Sequence, residues 1–196
     1  MFPVRIIAII LCLSLLGGTP SMAAGIPQAE LFSAIFIKAL GYDRRLDNKT
    51  QQKVKIAVLA FKDDQNAIDF ANEVQDVLLR LQSSYSIRQK PFIVETIFLD
   101  PQSNTSDALG QELQSREISV VLLLDKDPQR ASLVTAATRK LQINSVCKER
   151  SCVMAGGSFG IVMKGGVFRM LVNMNGMLAE NSDYSAKLLS LCEVVR

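Results

Sequence analysis

Histidine and tryptophan are absent from this 196-residue chain. Without imidazole there is no Ser-His-Asp or Cys-His catalysis and no histidine metal ligand. The Gly-x-Ser-x-Gly spacing occurs at Gly156 to Gly160, but the strained-turn serine nucleophile works with a histidine base that this chain lacks. The Gly and Lys spacing of a phosphate-binding loop is also lacking. Gly156-Gly157-Ser158 comes nearest to it and reads as a bend leading into a strand. Lys and Arg number 22 against 19 Asp and Glu, and they are scattered rather than gathered into a basic tract. Nucleic acid is therefore a poor partner. There are only six prolines and no internal repeat, which excludes a linker or low-complexity chain. No apolar run reaches the roughly 20 residues that a membrane-spanning helix needs.

What is present begins with an export signal. MFPVR carries Arg5, IIAIILCLSLL is apolar, and GGTPSMAA supplies breakers and small residues. Positive, apolar and small-residue regions in that order define a secretory leader, with Ser21 and Ala23 small enough for signal peptidase. We expect residues 1–23 to be a cleavable signal peptide and residues 24–196 a single domain. Roughly 170 residues suffice for one core.

The mature chain alternates helix and strand. Gln28 to Asp43 repeats Leu31, Phe32, Ile35, Phe36 and Leu40 at helical spacing. Strands are expected at Lys53–Phe61, Pro91–Leu99 and Ile118–Leu124, with helices at Gln65–Leu81, Asp107–Gln114 and after Asp127-Pro128. Three such alternations predict an α/β layer whose mostly parallel or mixed sheet is flanked by helices. Further on, Gln142–Val146 and Cys152–Ala155 read as short strands. Lys164-Gly165-Gly166 then reads as the turn of a β-hairpin, because paired glycines accept positive φ. Ser185 to Val195 closes the chain as a helix or helix-to-strand segment.

Acidic residues follow each of the three expected parallel strands: Asp63-Asp64, Asp100, and Asp125 with Asp127. Ligands of open α/β sheets bind at these carboxyl ends, so Asp63, Asp100 and Asp125 mark a candidate ligand crevice. Helix capping and turn formation account for the same residues more simply, and Pro101 and Pro128 favour that account over a Mg²⁺ site. No cofactor is expected. Cys147 and Cys152 are separated by four residues, and in an oxidising compartment they are expected to form a disulfide. Cys192 is left over and shares an apolar face with Leu188 and Val195, which suits a buried inert thiol better than a redox partner. On the first helix Phe32, Ile35 and Phe36 exceed what one buried stripe needs. With Tyr42 and Arg44, just past its end, they are the candidate partner surface, although Tyr42-Asp43-Arg44-Arg45 reads more simply as a solvated helix exit.

Taken together, the apolar helix ending in YDRRL, then KIAVL, ISVVLLL, a Gly-Gly hairpin and the closing FRMLVNMNGMLAENSDYSAKLLSLCEVV resemble the YfiR-like family of bacterial periplasmic proteins. The match is clearest from Gly156 to Val195, where a strand, Asn173, Ser185, Leu188 and Leu189 fall in the family's order. Many members end the first helix with Trp-Pro, whereas this chain has Gly41-Tyr42-Asp43-Arg44. The resemblance implies the periplasm of a Gram-negative bacterium and a regulator rather than an enzyme. Such a regulator binds the periplasmic part of an inner-membrane signalling protein of the diguanylate cyclase (GGDEF) or kinase type, so controlling cyclic di-GMP and biofilm. An outer-membrane lipoprotein is a further partner that it implies; a homodimer is left open. The alternative is a small periplasmic solute-binding protein with its crevice at the strand ends.

Overall fold

The computed structural model describes residues 27–102 and 105–195. The leader expected at residues 1–23 lies outside them. Seven strands form one sheet in the order β2-β1-β3-β4-β5-β6-β7: β1 Val54–Phe61, β2 Phe92–Leu99, β3 Val120–Leu123, β4 Asn144–Cys147, β5 Phe159–Lys164, β6 Val167–Asn173 and β7 Glu193–Val195. The first five run parallel, β6 returns antiparallel to β5, and β7 runs parallel to β6. The α/β layer with a mostly parallel sheet is therefore the observed fold.

Continuous apolar runs build the centre because both faces of the sheet are covered. Along β1, Val54, Ile56, Val58 and Ala60 face one core, while Ala57, Leu59 and Phe61 face the other. The first core lies under α1 (Gln28–Leu40) and α3 (Gln65–Gln82), the longer neighbour of the single turn α2 (Leu46–Lys49). The second lies under α4 (Ser106–Ser115), α5 (Pro128–Leu141) and α6 (Arg150–Met154). Two short helices, α7 (Met174–Ala179) and α8 (Ala186–Leu189), lead from β6 to β7. The chain thus closes as a helix-to-strand segment.

Side-chain caps fix where helices begin. Asp64 accepts from Ala67 N at 3.1 Å, and Asp127 accepts from Gln129 N at 2.8 Å with Pro128 as the first helical residue. In the hairpin, Gly165 and Gly166 have φ of 59° and 78°, as a two-residue turn with both φ positive requires.

Two expectations need correction. Cys152–Ala155 is not a strand, because Cys152 belongs to α6. Strands β4 and β5 are parallel, so a tight hairpin cannot join them, and a helical turn carries the chain back across. The second concerns the surface proposed on α1. Phe32 and Phe36 are fully buried and Ile35 is half-buried. Phe70 and Phe168 pack against Phe32 with ring centroids 5.5 and 5.8 Å away, so the helix is embraced from both flanks and a wide stripe is covered. Of that set only Arg44 is exposed; Tyr42 is half-buried.

Candidate functional site

The winding of the sheet singles out one place. From β1 the chain crosses over α3 to β2, and from β2 it crosses back over α4 to land on the other side of β1 as β3. The strand order therefore reverses between β1 and β3. In open α/β sheets the crevice outside the carboxyl ends at such a reversal is where ligands bind. Here a cleft of about 400 Å³ lies at that point, lined by residues 63–66 after β1 and by residues 125–127 and Arg130 after β3.

Arg130, one turn into α5, organises the cleft. Its guanidinium donates to both oxygens of Asp63 at 2.8 and 2.5 Å and to Asp125 Oδ2 at 3.3 Å, with Asp127 Oδ2 3.8 Å from Nε. The same group lies 4.7 Å from the centre of the Phe61 ring, so cation–π attraction holds it from beneath. Hydrogen bonds from Arg130 hold the exposed Asp63 carboxyl below its ordinary range. Burial pushes Asp125 the other way, despite its bonds from Asp127 N at 2.6 Å and from Arg130. Lys126 stands 3.9 Å from Asp64.

Of the three carboxylates expected to share a crevice, Asp63 and Asp125 are thus brought together and Asp100 is not. Asp100 follows β2, beyond β1 from the cleft, and accepts from Gln102 N at 2.9 Å. Among the described residues no group of three or more Asp, Glu, Cys or His side chains is placed to hold a metal ion. The carboxylates converge on a guanidinium instead. Arg130 was not singled out in the sequence. The available signal was electrostatic: acids gathered at adjacent strand ends require a cation, and the loops offer few.

The cysteines divide between the two cores. Cys147, at the end of β4, is bonded to Cys152 in α6, and both are fully buried. Cys192 packs against the opposite core, half-buried, with Sγ 3.2 Å from Leu188 O. Burial pushes its thiol up to about 11, which leaves little thiolate at neutral pH. The sheet stands between it and the disulfide.

A second hollow, of about 360 Å³, lies at the amino ends of β1 and β3, floored by Ile118 and Ile143 and rimmed by Lys53 and Lys55. Lys55 is paired with Glu117 there.

No protein-family model matches the chain, and no curated protein matches it. Solved structures do. A conserved domain protein from Vibrio cholerae O1 biovar El Tor superposes with a TM-score of 0.56 at 10% identity, covering 87% of this chain and 61% of that one. An ABC domain in complex with L-Trp from Streptococcus pneumonia gives 0.58 at 12% identity, covering 86% and 60%. A ligand-free, open substrate binding protein with adhesive properties from Clostridium difficile gives 0.49 at 15%, covering 73% and 54%. At these identities the likeness concerns the fold. The chain spans about three fifths of the length of the first two. Among the described residues no helix is long and apolar enough to cross a membrane.

Proposed function

We propose that this chain is an exported, non-enzymatic binding domain that regulates an inner-membrane signalling protein by contact with its periplasmic part, of the diguanylate cyclase type. The observation that carries this reading is the state of the switch-point cleft. Its guanidinium, on Arg130, is already held by the protein's own carboxylates, with Asp63 taking two of its N–H groups as a ligand would. Binding then falls to the surface. Leu178, Leu191 and Val194 are 67, 64 and 51% exposed in the C-terminal segment that carries the family resemblance. Within that segment Asn173 caps α7, Ser185 caps α8 and Leu188 is buried, so the resembling residues are those that shape it.

Affinity capture from a membrane extract of the source cell tests the reading, with the mature domain as bait in oxidised and reduced form. We expect recovery of a membrane-anchored cyclase or kinase. Recovery of no membrane signalling protein in either form overturns it.

A second reading, solute binding, is favoured by the position of the cleft at the strand-order reversal and by the L-Trp complex of one structural neighbour. Screening by thermal shift against polar solutes separates the two. A saturable shift that is lost on Arg130→Met supports solute binding.

A further inference from the structure

The first half of the chain and its C-terminal segment meet at a closed polar cluster on the amino side of β4. Asp43 and Lys49 come from the turns after α1, Asn144 and Ser145 from the start of β4, and Glu180 from the end of α7. The side chains of Asp43 and Lys49 are 0 and 5% exposed, and Glu180 is fully buried.

The cluster joins the two parts bond by bond. Lys49 Nζ donates to Glu180 O at 2.6 Å, to Ser182 Oγ at 2.9 Å and to Asn144 Oδ1. Asp43 accepts from Asn144 Nδ2 at 2.7 Å and from Asp183 N at 2.8 Å. The Glu180 carboxylate accepts from Thr138 Oγ1 at 2.6 Å, from Ser145 Oγ at 2.5 Å and from Ser145 N at 2.8 Å. Its partners, the Ser158 hydroxyl included, are thus neutral hydroxyls and an amide.

The charges do not balance. Two carboxyl groups are enclosed with one ammonium. Lys49 stands 3.9 Å from the Asp43 carboxylate but reaches only the main-chain oxygen of Glu180. Tyr184, also buried and bonded to Asn144 at 3.5 Å, is neutral, its phenol pushed further up by burial and both carboxylates. Arg45 points outward to Asn181 at 2.5 Å. One ammonium therefore serves two enclosed carboxyl groups, and a buried carboxylate whose charge is not fully matched is costly. Protonation relieves that cost.

We infer that this cluster is a pH-dependent latch: with Glu180 protonated it fastens the segment from Glu180 to Val195, including β7, onto the parallel half of the sheet, and ionisation of Glu180 loosens it. Burial raises the Glu180 carboxyl above its ordinary value, which fixes the sign. A group whose folded value is raised stabilises the fold fully below its unfolded value and loses that contribution as pH rises through the folded value. Lys49, pushed down to about 8 by burial, stays charged in neutral and acidic solution and keeps its three bonds there.

The test is a carboxyl-carbon NMR titration of Glu180 with amide exchange across residues 182–195, on the full mature domain. We expect the Glu180 midpoint above the ordinary value of about 4.3. Protection of that segment, corrected for intrinsic exchange and compared with β1 and β3, should fall roughly tenfold for each pH unit between Glu180's unfolded and folded midpoints. In Glu180→Gln the fall should vanish while the acid-state protection is kept. A midpoint at or below the ordinary value overturns the latch, and so does segment protection that tracks β1 and β3 across the titration. Both are read on the native protein, so the test stands even where Glu180→Gln does not fold.

Discussion

Gly157 shows how little room is left where β4, α6 and β5 converge. A Cβ there would lie 2.4 Å from Cys147 Sγ and 3.3 Å from Cys152 O, and neither atom can yield, one being tied in a disulfide and the other in the backbone. We expect Gly157→Ala to cost about 2 kcal/mol in urea unfolding, as overpacking does in a closed core. In the sequence this glycine read as part of a bend, which it is, but the reason that no larger residue fits lies in a sulfur ten positions earlier. Asp43 teaches the same lesson. In the Tyr-Asp-Arg-Arg run it looked like a solvated helix exit, yet it is wholly buried because Asn144 and Asp183 close over it. No periodicity in the sequence announces a polar residue that is buried by partners a hundred positions away.

The elements themselves were far more legible. Period-two and period-3.6 apolar patterns placed β1, β2, β3, α1, α3, α4 and α5 nearly where they stand, because each buries a face against the same sheet. Misreadings fell on short pieces. Four or five residues such as Cys152 to Ala155 span barely one helical turn, so strand and helix cannot be told apart there, and the parallel pairing of β4 with β5 decides for helix. The disulfide pins that helix to its strand. It closes a small loop, so its entropic contribution is modest. Replacing Cys147 and Cys152 together by serine should lower stability by about 2 kcal/mol, read from the urea midpoint with the slope unchanged. Loss of folding altogether would mean that the bond positions α6 as well as restricting the unfolded chain.

Across the whole molecule, the reversal of strand order between β1 and β3 was not readable from the sequence, since alternating strands and helices are compatible with several strand orders. The candidate site followed it only in part: Asp63 and Asp125 share the cleft, Asp100 does not, and Arg130 emerged only with the fold. Arg130 ties the loops on either side of that reversal. In Arg130→Met the buried Asp125 keeps only its bond from Asp127 N. We expect a loss of about 2 kcal/mol at neutral pH. The loss should shrink in acid, because burial already raises the Asp125 carboxyl and protonation then removes the unpaired charge. Urea titrations at two pH values check this; an equal loss at both would show that packing on Phe61, rather than charge, is what Arg130 provides.

The antiparallel return of β6 has a practical consequence for orientation. Helix α1 begins near Phe70 and Phe168, on the side where β5 ends, whereas Val195 pairs with Asn173, on the side where β5 begins. The two ends of the described chain thus leave from opposite rims of the sheet. A domain immobilised through its C-terminus presents the Arg130 rim to solution and turns the β7 rim toward the support, and an N-terminal tether does the reverse. Paired capture experiments with the two tethers would therefore report which rim a partner approaches.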